Sequence, residues 1–263
     1  MNQKGNMTTN DTVWQGEVLT QTYLEGVRGA IPLANEQIDI MLRLIRASQP
    51  EINWVLDLGC GDGILGTAVL EQYPQAHGVF IDFSEPMLTA AKQRLNDNPK
   101  AFTILQDYGE RDWLKKIQKL LDSPFTSDSK SPIISLFDVI VSGYSIHHQP
   151  DERKKEVYTE LFNLLKPGGI FINIEHVASA DPWLERRFQE LFVDKIYQLQ
   201  LQNGANKTWE EVAQEYYNRP DKDANILAPV EDQCSWLRDI GYEKVDIYLK
   251  IFELAIFGGI KPK

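Results

Sequence analysis

The chain has 263 residues, 43% of them hydrophobic and 25% charged, and a formal net charge of −11. That size suits one α/β domain with a helical addition, not two catalytic domains. The acidic balance lacks the basic footprint that a phosphate backbone or an anionic membrane needs, which argues against nucleic-acid and membrane partners. Two cysteines, Cys60 and Cys234, form no disulfide framework, and no run is apolar enough for a membrane span or a secretory signal. A soluble, cytoplasmic protein is expected.

Residues 1–11 are polar and read as disordered. From 12 to 48 a helical pattern (Val13, Trp14, Val18, Tyr23 and Leu24, then Ile38 to Ile45) predicts an N-terminal cap, broken at Gly26–Pro32. Ile52–Leu58 reads as a buried strand, ended by glycines at alternate positions, Gly59, Gly61 and Gly63. Helical spacing over Ile64–Tyr73 then completes a strand, glycine loop and helix N-terminus, an edge suited to a nucleotide-type ligand. Asp57, just before the first glycine, would repel a pyrophosphate, so a dinucleotide is disfavoured and a ligand carrying a cation is favoured.

The second strand is Gly78–Phe83. Asp82 at its tip stands about 20 residues beyond the glycine loop, where an acid accepts hydrogen bonds from ribose hydroxyls. Ser84–Leu95 follows as a helix, with Ser84 as N-cap and Pro86 in the first turn. Phe102–Leu105 is a third strand, Trp113–Leu121 a helix, Phe137–Gly143 a fourth strand and Arg153–Leu165 an amphipathic helix. Lys166-Pro167-Gly168-Gly169 is expected to break that helix before a fifth strand, Ile170–Ile174, which delivers Glu175 and His176. Residues 181–226 interrupt the alternation with two helical stripes, the first carrying Phe188, Phe192 and Ile196. A helix at Pro229–Ile240 and two closely spaced, hence antiparallel, strands at Val245–Leu249 and Phe252–Phe257 end the chain.

Asp57-Leu58-Gly59-Cys60-Gly61-Asp62-Gly63 resembles the first motif of the class I methyltransferases that use S-adenosyl-L-methionine (SAM). Asp82, the Phe137–Gly143 strand running into Tyr144-Ser145-Ile146-His147-His148, and Leu165-Lys166-Pro167-Gly168-Gly169 are similar to later motifs, so the resemblance spans about 50–258. It implies an α/β Rossmann-like fold: a mostly parallel seven-stranded sheet with an antiparallel last strand, helices on both faces, and a helical lid. The core would comprise 49–180 and 227–263, with 181–226 as the lid. SAM would be the cofactor and S-adenosyl-L-homocysteine the product, with a small-molecule acceptor and a monomer or homodimer.

The resemblance assigns cofactor contacts to Asp57, Gly59, Cys60, Gly61, Asp82, Asp107, Tyr108 and Ser142, sets Phe83 and Met87 against the adenine, and brings in Tyr23 and Arg28 from the cap, Arg28 towards the cofactor's carboxylate. Asp112-Trp113 rivals Asp107-Tyr108 for the adenine. Of the four histidines, His147 and His176 lie just beyond strands four and five and are the candidates for a base, while His148 reads as structural. The acceptor atom, O, N or C, stays open. A metal-assisted C-methyltransferase of a keto or enol acid, using these histidines with Glu175, is one alternative; Glu175 and His176 alternate on a strand, which argues against a shared metal, and none is expected. A SAM-binding regulatory protein without turnover is another.

Overall fold

The computed structural model describes residues 14–17, 20–21, 27–49, 51–121 and 136–263. Tyr23 lies outside them. The strands are β1 (Trp54–Leu58), β2 (His77–Asp82), β3 (Ala101–Leu105), β4 (Phe137–Gly143), β5 (Leu165–His176), β6 (Glu243–Ile251) and β7 (Leu254–Ile260). They form one sheet in the order β3-β2-β1-β4-β5-β7-β6. Pairings from β3 across to β5 are parallel, and β7 runs antiparallel to both β5 and β6. The order reverses between β1 and β4, and a crevice opens at the carboxyl ends of strands flanking such a switch point.

Eight α-helices are described: α1 (Ala34–Ser48), α2 (Ile64–Gln72), α3 (Glu85–Leu95), α4 (Trp113–Leu121), α5 (Asp151–Leu164), α6 (Pro182–Gln202), α7 (Trp209–Tyr217) and α8 (Val230–Ile240). Two apolar layers cover the sheet. One joins Leu56, Ile81 and Phe171 with helices α4, α5 and α8, and the other joins Val55, Phe80 and Val141 with α1, α2 and α3. Both faces of the central strands are therefore buried, and those strands are almost wholly apolar, as parallel strands between helical layers must be. A third cluster, with Phe188, Phe192, Val212 and Tyr216, packs α6 on α7 and touches the sheet only through Leu254 among its buried members. Helices α6 and α7 thus share an apolar cluster distinct from the two layers on the sheet.

Local chemistry sets several boundaries. Ser84 caps α3 by accepting from the Met87 amide at 3.4 Å, and Gly241 ends α8 in a left-handed conformation. Thr208 and Glu211 form a reciprocal capping box on α7. The Lys166–Gly169 run departs from expectation. Strand β5 begins at Leu165, which pairs with Phe137, and the register shifts before Val139 meets Ile170. The run is an irregularity inside the strand because the segment after β7 holds it: Gly168 N–H donates to Lys261 O, and Lys261 N–H to Gly169 O. Lys166 Nζ also reaches Asp138 at 2.8 Å.

Candidate active site

A cavity of about 570 Å³ opens at the carboxyl ends of β1, β2, β4 and β5, within the usual size of a small-molecule site. Gly59, Gly61, Asp82, Phe83 and Met87 wall one end; Phe188, Phe192, Ile196 and Tyr216 of the insert wall the other. Tyr144, Ser145, His147, His148 and His176 also line it.

The glycine end is built by hydrogen bonds from buried carboxylates. Asp82 Oδ2 accepts Gly61 N–H at 2.8 Å and its Oδ1 accepts Ser84 N–H at 2.8 Å, which leaves each oxygen a lone pair for a ligand hydroxyl. Gly59 has φ +63, and a Cβ there would fall 1.8 Å from Ser145 Oγ, so the loop closes against the turn after β4 only because that side chain is absent. Asp57 does not line the cavity. It is 1% exposed and accepts Gly66 N–H at 2.8 Å, bracing the loop from behind. Burial pushes the Asp57 carboxyl up to about 8 and Asp82 up to about 6, despite the backbone donors that hold them down. Two buried carboxylates short of positive charge suit a cationic, hydroxyl-bearing ligand and disfavour a pyrophosphate. SAM, with its sulfonium, ammonium and ribose, fits that donor set, and Phe83 and Met87 offer apolar surface for its adenine.

Several expected contacts turn out to be supports. Cys60 is buried, and its amide donates to Ile81 O at 2.9 Å. Ser142 Oγ donates to Leu58 O at 2.8 Å, tying β4 to β1. Tyr108 is 4% exposed and its hydroxyl bonds Ser145 Oγ at 2.7 Å, so it props the turn that faces Gly59 and does not lie open to a ring. Asp107 is on the surface, its Oδ1 accepting Gly109 N–H at 2.6 Å. Neither lines the cavity, nor do Asp112 and Trp113, whose indole N–H donates to Glu160 at 2.7 Å. Arg28 is ion-paired with Asp62, which also takes Arg94; its guanidinium is engaged at the edge of the glycine loop instead of lining the cavity.

At the other end the histidines are organised by tertiary contacts. His147 Nδ1 lies 2.6 Å from Glu175 Oε1, and Glu175, fully buried, also accepts the His147 and His176 backbone N–H groups at 3.1 and 2.8 Å. Burial lowers the His147 pKa well below its ordinary value and raises that of Glu175 to about 7. The arrangement is a neutral imidazole with Nδ1–H held by the carboxylate and Nε2 as its second polar atom, a tautomer set by the partner. The Asn225 side chain hydrogen-bonds the same ring.

His148 is tethered differently: Nδ1–H donates to Ala224 O at 3.0 Å, and burial lowers its pKa to about 3. Ile226 N–H donates to His147 O at 2.9 Å, and buried Lys154 reaches Ile226 O as well as Asp151. The end of the insert is thereby stitched to the histidine turn. His176 Nε2 sits 2.9 Å from Glu253 Oε2, and Ser179 Oγ donates to Glu253 Oε1 at 2.5 Å. Among the described residues no group of three histidine, cysteine or acidic side chains is placed to hold a metal ion; Glu175 spends its carboxylate on His147 and adjacent amides.

The sequence reading missed Glu253 and Asn225. Glu253 lies between two strands with nothing local to mark it, and is paired with His176 only through the antiparallel β5–β7 register.

Comparison with known proteins agrees with this geometry. A family model described as a methyltransferase domain matches residues 56–171. A demethylmenaquinone methyltransferase of Leptospira interrogans is 27% identical over 172 residues, 64% of this chain and 62% of that protein. Among solved structures, an O-methyltransferase family protein from Burkholderia thailandensis superposes with a TM-score of 0.61 at 15% identity, covering 94% of this chain and 59% of that one. The CurJ carbon methyltransferase does so with a TM-score of 0.61 at 17% identity, over 97% and 61% of the respective chains. The chain thus spans about 60% of the length of these three proteins. The fold is that of the class I SAM-dependent methyltransferases, and residues 56–171 match the model of a methyltransferase domain.

Proposed function

We propose that the protein transfers the methyl group of SAM to a hydroxyl of a small organic molecule, with His147 as the base and residues 181–226 as a lid over the acceptor. The observation that carries this is the buried His147–Glu175 pair opening on the same cavity as the glycine loop. Bound SAM supplies a methyl already activated on a sulfonium. The chain's own work is to orient the acceptor, exclude water and take a proton. Neutral His147 takes that proton on Nε2, the nitrogen away from Glu175 that the Asn225 side chain also reaches, and Glu175 stabilises the imidazolium that results. Gly59, Gly61, Asp82, Phe83 and Met87 hold the cofactor, with Asp57, Cys60, Tyr108 and Ser142 shaping the loop that does so.

The net charge of −11 favours a small acceptor over a nucleic acid. A regulatory SAM-binding protein would have no use for an oriented base. Calorimetric titration with S-adenosylhomocysteine is expected to show micromolar binding, and labelled SAM should give transfer to phenolic acceptors that His147→Ala abolishes while that binding persists. Absence of binding, or transfer that survives the substitution, overturns the reading.

A further inference from the structure

The cavity holds a second histidine–carboxylate pair that a lone base does not require. His176 stands on the same wall as His147, ring centroids 5.6 Å apart in an edge-on arrangement, and is fixed from behind by Glu253, itself 3% exposed and anchored by Ser179. With Nε2 engaged by Glu253, Nδ1 is the polar atom left on that ring, and no hydrogen bond occupies it among the described residues. Two imidazoles in this edge-on pair, each locked by a carboxylate before any ligand arrives, place His147 Nε2, which the Asn225 side chain also reaches, and His176 Nδ1 on one wall of the cavity. Each such bond reaches about 2.9 Å, and rings whose centroids lie 5.6 Å apart suit two oxygens on neighbouring carbons.

The surroundings narrow the class further. Phe188, Phe192, Ile196, Val212 and Leu254 make much of the remaining wall apolar, with Gln200, Asn218 and Asn225 as uncharged polar members. The charged residues lining the cavity, among those described, are Asp82, Glu215, Asp221 and Arg219. Arg219 is not available to an anion: its Nε lies 3.4 Å from Asp221, its Nη1 donates to Tyr216 O, and the guanidinium rests 4.3 Å over the Tyr216 ring. A carboxylate or phosphate on the acceptor would enter a wall already net negative.

We propose that the acceptor is an uncharged aromatic bearing two oxygens on adjacent carbons, one methylated beside His147 and the other held by His176. This rests on the methyl-transfer reading above. His176 is then the residue that selects the acceptor, since a site built to bond a second oxygen discriminates against the analogue lacking it.

The test compares labelled methyl transfer to catechol, phenol and salicylate by the wild type and by His176→Phe, which keeps a ring against Phe188. Catechol should exceed phenol in kcat/KM by about tenfold or more, beyond the roughly twofold that a second equivalent hydroxyl gives by number, and salicylate should be the poorest. In His176→Phe, the catechol-to-phenol ratio of kcat/KM should fall to the roughly twofold that number alone gives, while S-adenosylhomocysteine affinity holds. Catechol and phenol used alike by the wild type, a measurement independent of whether the variant folds, would overturn the acceptor class alone. A variant that loses both acceptors equally would do the same. Transfer to none of the three by a protein that binds S-adenosylhomocysteine would overturn the hydroxyl-methylation reading together with it.

Discussion

His147 and Glu175 are 28 positions apart in the chain, yet Nδ1 and Oε1 meet at 2.6 Å in a fully buried contact. The parallel pairing of β4 with β5 places Gly143 beside Ile174, and the next turn of chain on each side brings the two residues together. Neither partner alone would be a useful base: His147 without Glu175 has no fixed tautomer, and Glu175 without His147 does not reach the cavity.

Replacing His147 with Ala should lower kcat by about 10²–10⁴-fold, the usual contribution of a positioned general base, and leave S-adenosylhomocysteine affinity within about twofold. Glu175→Gln keeps the shape but removes the charge that favours the imidazolium, and should lower kcat less than His147→Ala does. A pH–rate series reads the same pair. Protonation of Glu175, whose carboxyl titrates at about 7, removes that support, so kcat/KM should fall as the pH drops through about 7 and level off above it. A profile flat from pH 6 to 9 would contradict the assignment.

Asp57 should link pH to stability and to cofactor binding. Its folded-state pKa of about 8 lies above the ordinary 3.8, so the folded chain binds the extra proton. The stability it contributes is present in full below the unfolded pKa and is lost as the pH rises through about 8. Asp57→Asn, which retains an acceptor for Gly66 N–H, should flatten the decline in Tm between pH 5 and 9. A cation bound beside the loop lowers the same pKa, so SAM binding at pH 7 should release a proton in the wild type and release less in the variant. Calorimetry in buffers of different ionisation enthalpy measures both.

The glycines of the loop should differ in tolerance. Gly59→Ala meets Ser145 Oγ at 1.8 Å, while a Cβ on Gly61 finds only Met87 Sδ at 3.9 Å. Both have positive φ, at a cost of about 1–2 kcal/mol for Ala. Gly61→Ala should therefore fold with a modest loss of Tm, and Gly59→Ala should lose S-adenosylhomocysteine binding as the loop parts from the turn. Equal effects at the two positions would show that the close approach to Ser145 is unimportant.

Phe192 stacks on Tyr216 with centroids 5.6 Å apart, lies 5.6 Å from Phe188, and lines the cavity. Truncation to Ala should destabilise the α6–α7 unit by about 3 kcal/mol and raise the acceptor KM, with S-adenosylhomocysteine affinity unchanged. Hydrogen exchange confined to α6 and α7 would localise the loss.

What the sequence determined by itself was the order of elements and the glycine end of the site. Apolar runs bounded by breakers marked β1, β2, β4 and β7, and Gly59, Gly61 and Asp82 announced a cofactor edge, because strand period, turn chemistry and loop spacing act over a few neighbouring residues. The tertiary structure decided which polar groups face the cavity. Asp57, Tyr108 and Ser142 look like contacts in the chain and became supports, since a carboxylate or hydroxyl follows whichever buried donor or acceptor packing brings to it. The Lys166–Gly169 run looked like a helix end and became part of β5, since its partners are Lys261 and Asp138. The pairing of His176 with Glu253 depends on the register of two antiparallel strands. That register is a property of the assembled sheet, and no stretch of a few residues encodes it.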